Sequence, residues 1–279
     1  MTSAELEDRA GYDADFLGVE VPLPTLAGTP TVELRYTHFT VLQHPERRLA
    51  AATAVNVDGA RLIDVERDGD AWRFDPRLPE AQQAGDDVYR DNDLDRGHLV
   101  RRRDPGWGDT PAEAGQANRD TFFFTNAAPQ HAEFNQSALL WLGLEDYLLQ
   151  NAAIGARRLS VLTGPLLGAD DPPYRGIRIP LEFWKVAAFT TTAGGDLAAT
   201  AYLLDQSPQL DDLDEAVARA AAAGDPPPLG PYRTFQVPVA EVAARTGLDL
   251  GPLPAADRLP AVMGQAARVP LTDLRDIVW

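Results

Sequence analysis

A histidine and four arginines lie close together in residues 93–103 of an otherwise acidic chain. The unperturbed pKa of histidine is about 6.5, so a neutral His98 can accept a proton near neutral pH. Arg96 is permanently charged, and its planar guanidinium can bind a phosphate through two hydrogen bonds. Gly97 between them permits a sharp turn or the close approach of a ligand. Together these residues could supply a base beside an anion-binding group, which is half of a site for phosphodiester cleavage.

Two other interpretations of this stretch compete with a phosphodiester-cleaving site. A solvated turn of Asp95, Arg96 and His98 with an ion pair remains an alternative, because the match covers only four residues. A calcium-binding loop that begins at Asp91 is excluded by spacing. An EF-hand loop needs glycine at its sixth position and glutamate at its twelfth, whereas these positions hold Arg96 and Arg102.

The elements around this stretch predict an α+β fold with a mostly antiparallel central sheet and helices packed on it. Apolar residues alternate loosely through 32–43 and 48–58, and these two segments predict a hairpin. Strand-type and helix-type segments come in runs and do not alternate strictly, which favours the α+β class. Further strands are predicted at 121–126, 158–163, 181–192, 197–205 and 232–237, and helices at 113–120, 134–152, 213–223 and 240–246.

Length and composition limit the class of protein. We expect one domain over residues 1–279, with an extended N-terminal arm at 1–30 and a packed C-terminal tail at 254–279. No apolar run approaches 18 residues, so no membrane-spanning helix is predicted. The absence of cysteine excludes disulfides, zinc–thiolate sites and thiol nucleophiles. The net charge of −17 argues against a passive nucleic-acid coat protein, but an enzyme with a local basic groove remains compatible with it.

The first eight residues are acidic and lack an apolar core, so they do not predict a secretory signal. The expected location is therefore the cytoplasm, or the exterior if the chain is exported from a longer precursor. The sequence contains no glycine-rich phosphate loop and no Gly-x-Ser-x-Gly motif.

Three further motifs follow residues 95–98 in order. They are Asn-Ala-Ala-Pro-Gln at 126–130, Asn135, and Trp-Leu-Gly-Leu-Glu at 141–145. This order resembles the signature of the DNA/RNA non-specific endonucleases of the ββα-metal superfamily. The resemblance extends over roughly residues 15 to 250. Several separated motifs match, so it is more specific than Asp-Arg-Gly-His alone.

The resemblance implies a ββα-metal active-site motif that hydrolyses DNA and RNA with Mg²⁺, for which Mn²⁺ could substitute. In that motif His98 would be the general base and Arg96 would stabilise the charge on the phosphate. Asn135 would bind the metal directly, and Glu145 would hold a metal-bound water. Asn126 would orient the base or contact the phosphate.

The resemblance also suggests substrate contacts. Arg48 corresponds loosely to an arginine that points at the phosphate. Arg101 is a second candidate, and with Arg102 and Arg103 it could form a basic surface for the approach of the substrate. A solvated turn is the alternative for these three arginines.

Each remaining candidate also has a structural alternative. Asn135 could cap a helix, Asn126 could end a strand in a turn, and Glu145 could be an exposed helix carboxylate. The spacing from Asn135 to Glu145 is ten residues, whereas eight is usual in the family. Two extra residues in a regular helix would rotate Glu145 by roughly 200°. We therefore predict a bulge or a later helix start between Asn135 and Trp141.

The predicted function is thus a metal-dependent endonuclease with DNA and RNA as partners. Two alternatives remain: a catalytically silent nucleic-acid-binding module of the same fold, and a phosphodiesterase that acts on small nucleotides. A second copy of the chain and an inhibitor or regulator are further candidate partners. No membrane partner is expected.

Overall fold

The computed structural model describes residues 2–66, 71–131, 157–191, 195–208, 213–230, 233–259, 268–271 and 277. The helices are α1 (Ser3–Glu7), α2 (Asp86–Tyr89), α3 (Pro111–Asp120), α4 (Leu213–Ala223) and α5 (Val239–Thr246). The strands are β1 (Thr25–Leu26), β2 (Val32–Tyr36), β3 (Phe39–His44), β4 (Leu49–Asp58), β5 (Leu94–His98), β6 (Ala127–His131), β7 (Arg158–Pro165), β8 (Pro173–Tyr174), β9 (Ile177–Arg178), β10 (Glu182–Thr190), β11 (Leu197–Asp205), β12 (Arg233–Val237), β13 (Leu248–Asp249) and β14 (Val269–Pro270).

An eight-stranded sheet forms the centre of the fold, in the order β14-β12-β11-β10-β7-β4-β3-β2. Every pairing in this sheet is antiparallel. The predicted α+β class with a mostly antiparallel sheet is therefore confirmed. None of the helices in the described ranges is long and apolar enough to cross a membrane.

The central sheet is covered on both faces. All ten residues of β4 are buried, and its alternating side chains enter two different hydrophobic clusters. Val55 and Val57 pack with Phe123 on one face, whereas Ala52 and Ala54 pack with Trp184 on the other. Because both faces are buried, apolar side chains predominate on both faces of β4, and its polar residues Thr53 and Asn56 are buried and hydrogen-bonded.

A separate two-stranded sheet carries the residues singled out by the sequence. β5 and β6 pair antiparallel, with α3 between them along the chain. Residues 121–126, predicted as a strand, instead form a 3₁₀ turn at Phe124–Asn126, and the strand follows in β6. The aromatic residues there fill the core. Their backbone forms an isolated parallel bridge with Arg73, through main-chain bonds at Phe122 and Phe124, and not a strand of a sheet.

Two further predictions of local structure were wrong. The predicted strand 32–43 divides into β2 and β3, because His38 takes a φ of 67° and reverses the chain. The His38 side chain holds this turn, with Nδ1 3.0 Å from the Pro105 carbonyl oxygen. Within the predicted extended arm, Ser3–Glu7 is helical and buries Leu6. The helices α3, α4 and α5 and the pairing of β10 with β11 agree with the predicted elements. The short helix α2 was not predicted, because residues 86–95 are polar and carry no apolar periodicity, and the predicted helix 134–152 lies outside the described residues.

Candidate active site

The antiparallel pair of strands β5 and β6 is called the β5–β6 hairpin, although α3 lies between the two strands in the chain. This hairpin presents His98 and Arg96 together. Alternate residues of a strand point to the same side, so both side chains project from one face of β5. Main-chain pairing fixes their positions, with His98 opposite Ala127 and Arg96 opposite Pro129. The structure thus brings together the predicted base and the predicted phosphate-binding group.

The imidazole of His98 lies in an aromatic corner. Its ring centroid is 4.6 Å from that of Trp72 and 4.9 Å from that of Phe122, whose plane is perpendicular to it. Main-chain hydrogen bonds beside Trp72, from Arg73 N to Phe122 O and from Phe124 N to Arg73 O, fix this corner. Sequence analysis did not identify Trp72, because it lies in a segment without a periodic pattern.

Arg96 rests on aromatic rings and is bound at its edge by a carboxylate. Its guanidinium carbon lies 5.3 Å from the ring centroid of Tyr89 and 5.9 Å from that of Phe124. Its Nη2 donates to Asp86 Oδ1 at 2.6 Å. Burial raises the pKa of Tyr89, so this phenol stays neutral under Arg96 at physiological pH. The arrangement holds a charged group beside His98 without burying it completely.

Asn126 ties together the chain on both sides of the hairpin. Its Nδ2 donates to the carbonyl oxygens of Val100 (2.8 Å) and Thr121 (3.0 Å), and its Oδ1 accepts from Val100 N at 2.9 Å. The Asn126 carbonyl oxygen also accepts from Leu99 N. The residue has no exposed surface, so contact with a phosphate, one half of the prediction, does not fit its position. These bonds fix the backbone directly after His98.

Arg48 is embedded in the segment that precedes α2. It has a φ of 60°, and its Nε and Nη2 donate to the Gln83 carbonyl oxygen at 3.2 and 2.9 Å. Nη2 also donates to Asp87 Oδ2 at 2.6 Å. Only 16% of its side-chain surface is exposed. Contact between Arg48 and a phosphate stays a prediction.

The three arginines after the hairpin differ in their surroundings. Arg101 is half-buried. Arg102 is also half-buried, and its Nη1 lies 3.4 Å from the Val65 carbonyl oxygen. Arg103 is exposed, with Nη2 4.0 Å from a carboxylate oxygen of Asp64. A basic approach surface at these positions stays a prediction.

A buried polar network supports the site from the central sheet. The Tyr36 hydroxyl donates to Asp75 at 2.5 Å and lies 2.7 Å from the Thr125 hydroxyl, next to Asn126 in the chain. Arg77 pairs with the same Asp75 carboxylate. Burial and then the Asp75 charge raise the pKa of Tyr36 well above its usual value. Tyr36 therefore remains a hydrogen-bond donor at physiological pH.

Residues 24–257 match the family model of the DNA/RNA non-specific endonucleases. The chain belongs to this family. The match covers the hairpin, its aromatic support and most of the central sheet, and it confirms the family indicated by the order of the sequence motifs.

Two curated relatives have similar sequences. "Uncharacterized protein y4fB" of Sinorhizobium fredii is 44% identical over 263 residues, which are 87% of this chain and 39% of that protein. The mitochondrial endonuclease G of Homo sapiens is 28% identical over 208 residues, which are 69% of this chain and 61% of that protein. The chain therefore spans less than two thirds of the length of either relative.

A solved structure, that of the EndoG/EndoGI complex, shares the fold. It superposes with a TM-score of 0.57 at 18% sequence identity, over 78% of this chain and 84% of that chain. This likeness supports the antiparallel α+β architecture of the family.

The predicted metal ligands Asn135 and Glu145 lie outside the described residues, as does the predicted bulge before Trp141. Within the described ranges, no group of three or more His, Cys, Asp or Glu side chains could hold a metal ion. The metal site of this family member therefore stays a prediction from the sequence motifs.

Gly97 lets the side chain of Gln130 lie across β5. A Cβ at Gly97 would overlap the side-chain amide of Gln130. We expect Gly97→Ala to displace that amide and to lower the free energy of unfolding by about 1–2 kcal/mol. Urea unfolding of Gly97→Ala, Gln130→Ala and the double variant measures this coupling.

The double variant should recover most of the stability that Gly97→Ala loses, because truncation of Gln130 removes the overlap. If the stability lost by the double variant equals the sum of the losses in Gly97→Ala and Gln130→Ala, this explanation of Gly97 is contradicted.

Proposed function

We propose that the chain is a metal-dependent endonuclease that hydrolyses phosphodiester bonds of DNA and RNA with little sequence preference. The observation that carries the proposal is the placement of His98 and Arg96 side by side on one face of a paired hairpin. Membership of the DNA/RNA non-specific endonuclease family supports it. Contacts to phosphates and sugars, which carry no direct sequence information, would suffice for such a substrate.

In this mechanism His98 accepts a proton from the attacking water. The aromatic corner of Trp72 and Phe122 restricts the ring to one side of β5, so the base needs little reorganisation when substrate arrives. Arg96 donates hydrogen bonds to the phosphate oxygens, where negative charge increases in the transition state. Asn126 holds the backbone that follows the base.

The divalent ion implied by the family resemblance would be held by Asn135, with Glu145 on one of its water ligands. An amide oxygen, a carboxylate and water are the hard oxygen ligands that Mg²⁺ accepts. When bound, such an ion polarises the phosphate and stabilises the departing oxygen.

Cleavage assays on three substrates test the function. Supercoiled plasmid, single-stranded RNA and a small phosphodiester are each incubated with Mg²⁺, with Mn²⁺ and with a chelator. We expect plasmid and RNA to be cut when a metal is present and to stay intact with the chelator. Binding without cleavage would indicate the silent module, and cleavage of the small diester alone would indicate the phosphodiesterase.

A protein inhibitor is a further proposed partner. A non-specific nuclease endangers the genome of the cell that makes it, and the structurally similar EndoG was solved as a complex that explains its inhibition by EndoGI. A homodimer, the other partner suggested by the sequence, stays a prediction.

A further inference from the structure

One turn of helix supplies two contacts to Arg96. Asp86 and Tyr89 are three residues apart in α2, so their side chains lie on the same side of that turn. Tyr89 lies beneath the guanidinium, and Asp86 accepts a hydrogen bond from its edge. An aromatic face attracts a cation with little preference for its rotation in the plane. Asp86 is the contact that gives the guanidinium a direction.

The comparison with Arg48 shows how much depends on Asp86. Arg48 pairs with the adjacent Asp87 at the same distance of 2.6 Å, but it also bonds twice to the Gln83 carbonyl oxygen. Within the described ranges, Asp86 is the one hydrogen-bond partner of Arg96. The Arg96 side chain is also the more exposed of the two, at 32% against 16%. Removal of the Asp86 carboxylate would therefore free Arg96. Removal of the Asp87 carboxylate would leave Arg48 bound to the Gln83 carbonyl oxygen.

The turn that carries Asp86 is itself fixed. Tyr89 is buried in a hydrophobic cluster. Arg175 Nη1 donates to the Arg90 carbonyl oxygen at 2.5 Å, and Asn92 Nδ2 donates to the Val88 carbonyl oxygen at 2.6 Å. A carboxylate on a fixed turn can hold a side chain in one orientation, whereas a carboxylate on a mobile loop cannot.

We propose that Asp86 is a positioning residue for Arg96 in nucleic-acid cleavage. It binds one N–H of Nη2 and so aims the remaining donors of the guanidinium at the phosphate beside His98. This inference rests on the proposed function. Without Asp86 the Arg96 side chain samples several rotamers. The conformational entropy that it then loses in the transition state raises the activation free energy.

Two substitutions of Asp86 distinguish the effect of its hydrogen bond on the orientation of Arg96 from the effect of its negative charge. Asp86→Asn keeps an oxygen that accepts from Nη2 but removes the negative charge, whereas Asp86→Ala removes both. We expect Asp86→Ala to lower kcat on plasmid DNA about tenfold or more with a smaller change in KM. Asp86→Asn should stay within about threefold of the wild-type kcat, because an amide oxygen also accepts a hydrogen bond.

Asp109→Ala is the matched control. Asp109 binds Arg61 Nη2 at 2.7 Å, and Arg61 lies 5.0 Å from the Trp107 ring centroid, so this pair repeats the ring-and-carboxylate arrangement away from β5. The kcat of the Asp109→Ala variant should equal that of the wild type. A higher activity or a lower KM in both Asp86 variants would show that the carboxylate competes with phosphate, and would overturn the proposal. Equal losses in both Asp86 variants would overturn it too.

A spectroscopic measurement tests the orientation without any cleavage. Arg96 Nε is shielded from solvent, so its N–H should give an observable NMR signal, assigned by its loss in Arg96→Lys. The signal should keep its shift in Asp86→Asn and move to an averaged position in Asp86→Ala. An unchanged signal in Asp86→Ala would refute the positioning role. A wild-type protein that cuts no nucleic acid would instead refute the proposed function.

Discussion

Replacing His98 with alanine is expected to reduce plasmid cleavage in Mg²⁺ by about 10²–10⁴-fold, the usual contribution of a general base. The side chain projects from a paired strand and contacts Trp72 and Phe122 through its ring, so its loss should leave the backbone of β5 in place. A single-turnover assay on supercoiled plasmid measures the effect, and circular dichroism checks the fold.

Free imidazole provides a sharper readout of the same variant. The aromatic corner keeps its walls in His98→Ala, so added imidazole should bind there and restore part of the rate. His44→Ala is the control, because His44 ends β3 in the central sheet, and its cleavage rate should not change. A fully active His98→Ala variant would show that another group takes the proton.

The largest effect on stability is expected for Asn126→Asp. The amide of Asn126 donates to two buried carbonyl oxygens, and an ionised carboxylate would face both oxygens without a proton to share. We expect the free energy of unfolding to fall by about 3–5 kcal/mol at pH 8, as for other uncompensated buried charges. Urea unfolding measures it.

The stability lost in Asn126→Asp should depend on pH, and the direction of this dependence identifies the buried negative charge as the cause. Burial raises the pKa of the introduced carboxyl above its unfolded value of about 3.9. The folded variant then binds more protons than the unfolded chain, so stability falls as pH rises from about 4 through the folded pKa. Asn118→Asp is the control: Asn118 donates to the Arg102 carbonyl oxygen alone within the described ranges, so its loss should be smaller. An equal, pH-independent loss in both variants would contradict the assignment.

The sequence predicted those features that depend on neighbouring residues. Arg96, Gly97 and His98 are adjacent, and their residue types alone indicate a base beside a phosphate-binding group. The strands predicted at 181–192 and 197–205 are neighbours in the chain, and they pair as β10 and β11. The order of motifs then added the family, which the family model confirmed.

Contacts between distant segments could not be predicted. Trp72 reaches His98 through main-chain bonds between residues 73 and 122–124, a pairing for which no local pattern gives a signal. Asn126 looks like a turn residue, and its burial depends on how the chain around Val100 folds back on it. The positive φ of Arg48 could not be predicted either, because non-glycine residues seldom adopt the left-handed conformation.

The separation of the β5–β6 hairpin from the eight-stranded sheet bears on heat inactivation. β5 and β6 bond to each other, and side chains such as Tyr36 and Thr125 connect this region to the sheet. Regions joined by side-chain packing can open without breaking the hydrogen bonds of a larger sheet. We therefore expect the hairpin and the sheet to unfold as two cooperative units, with the proposed activity lost at the temperature at which the smaller unit opens.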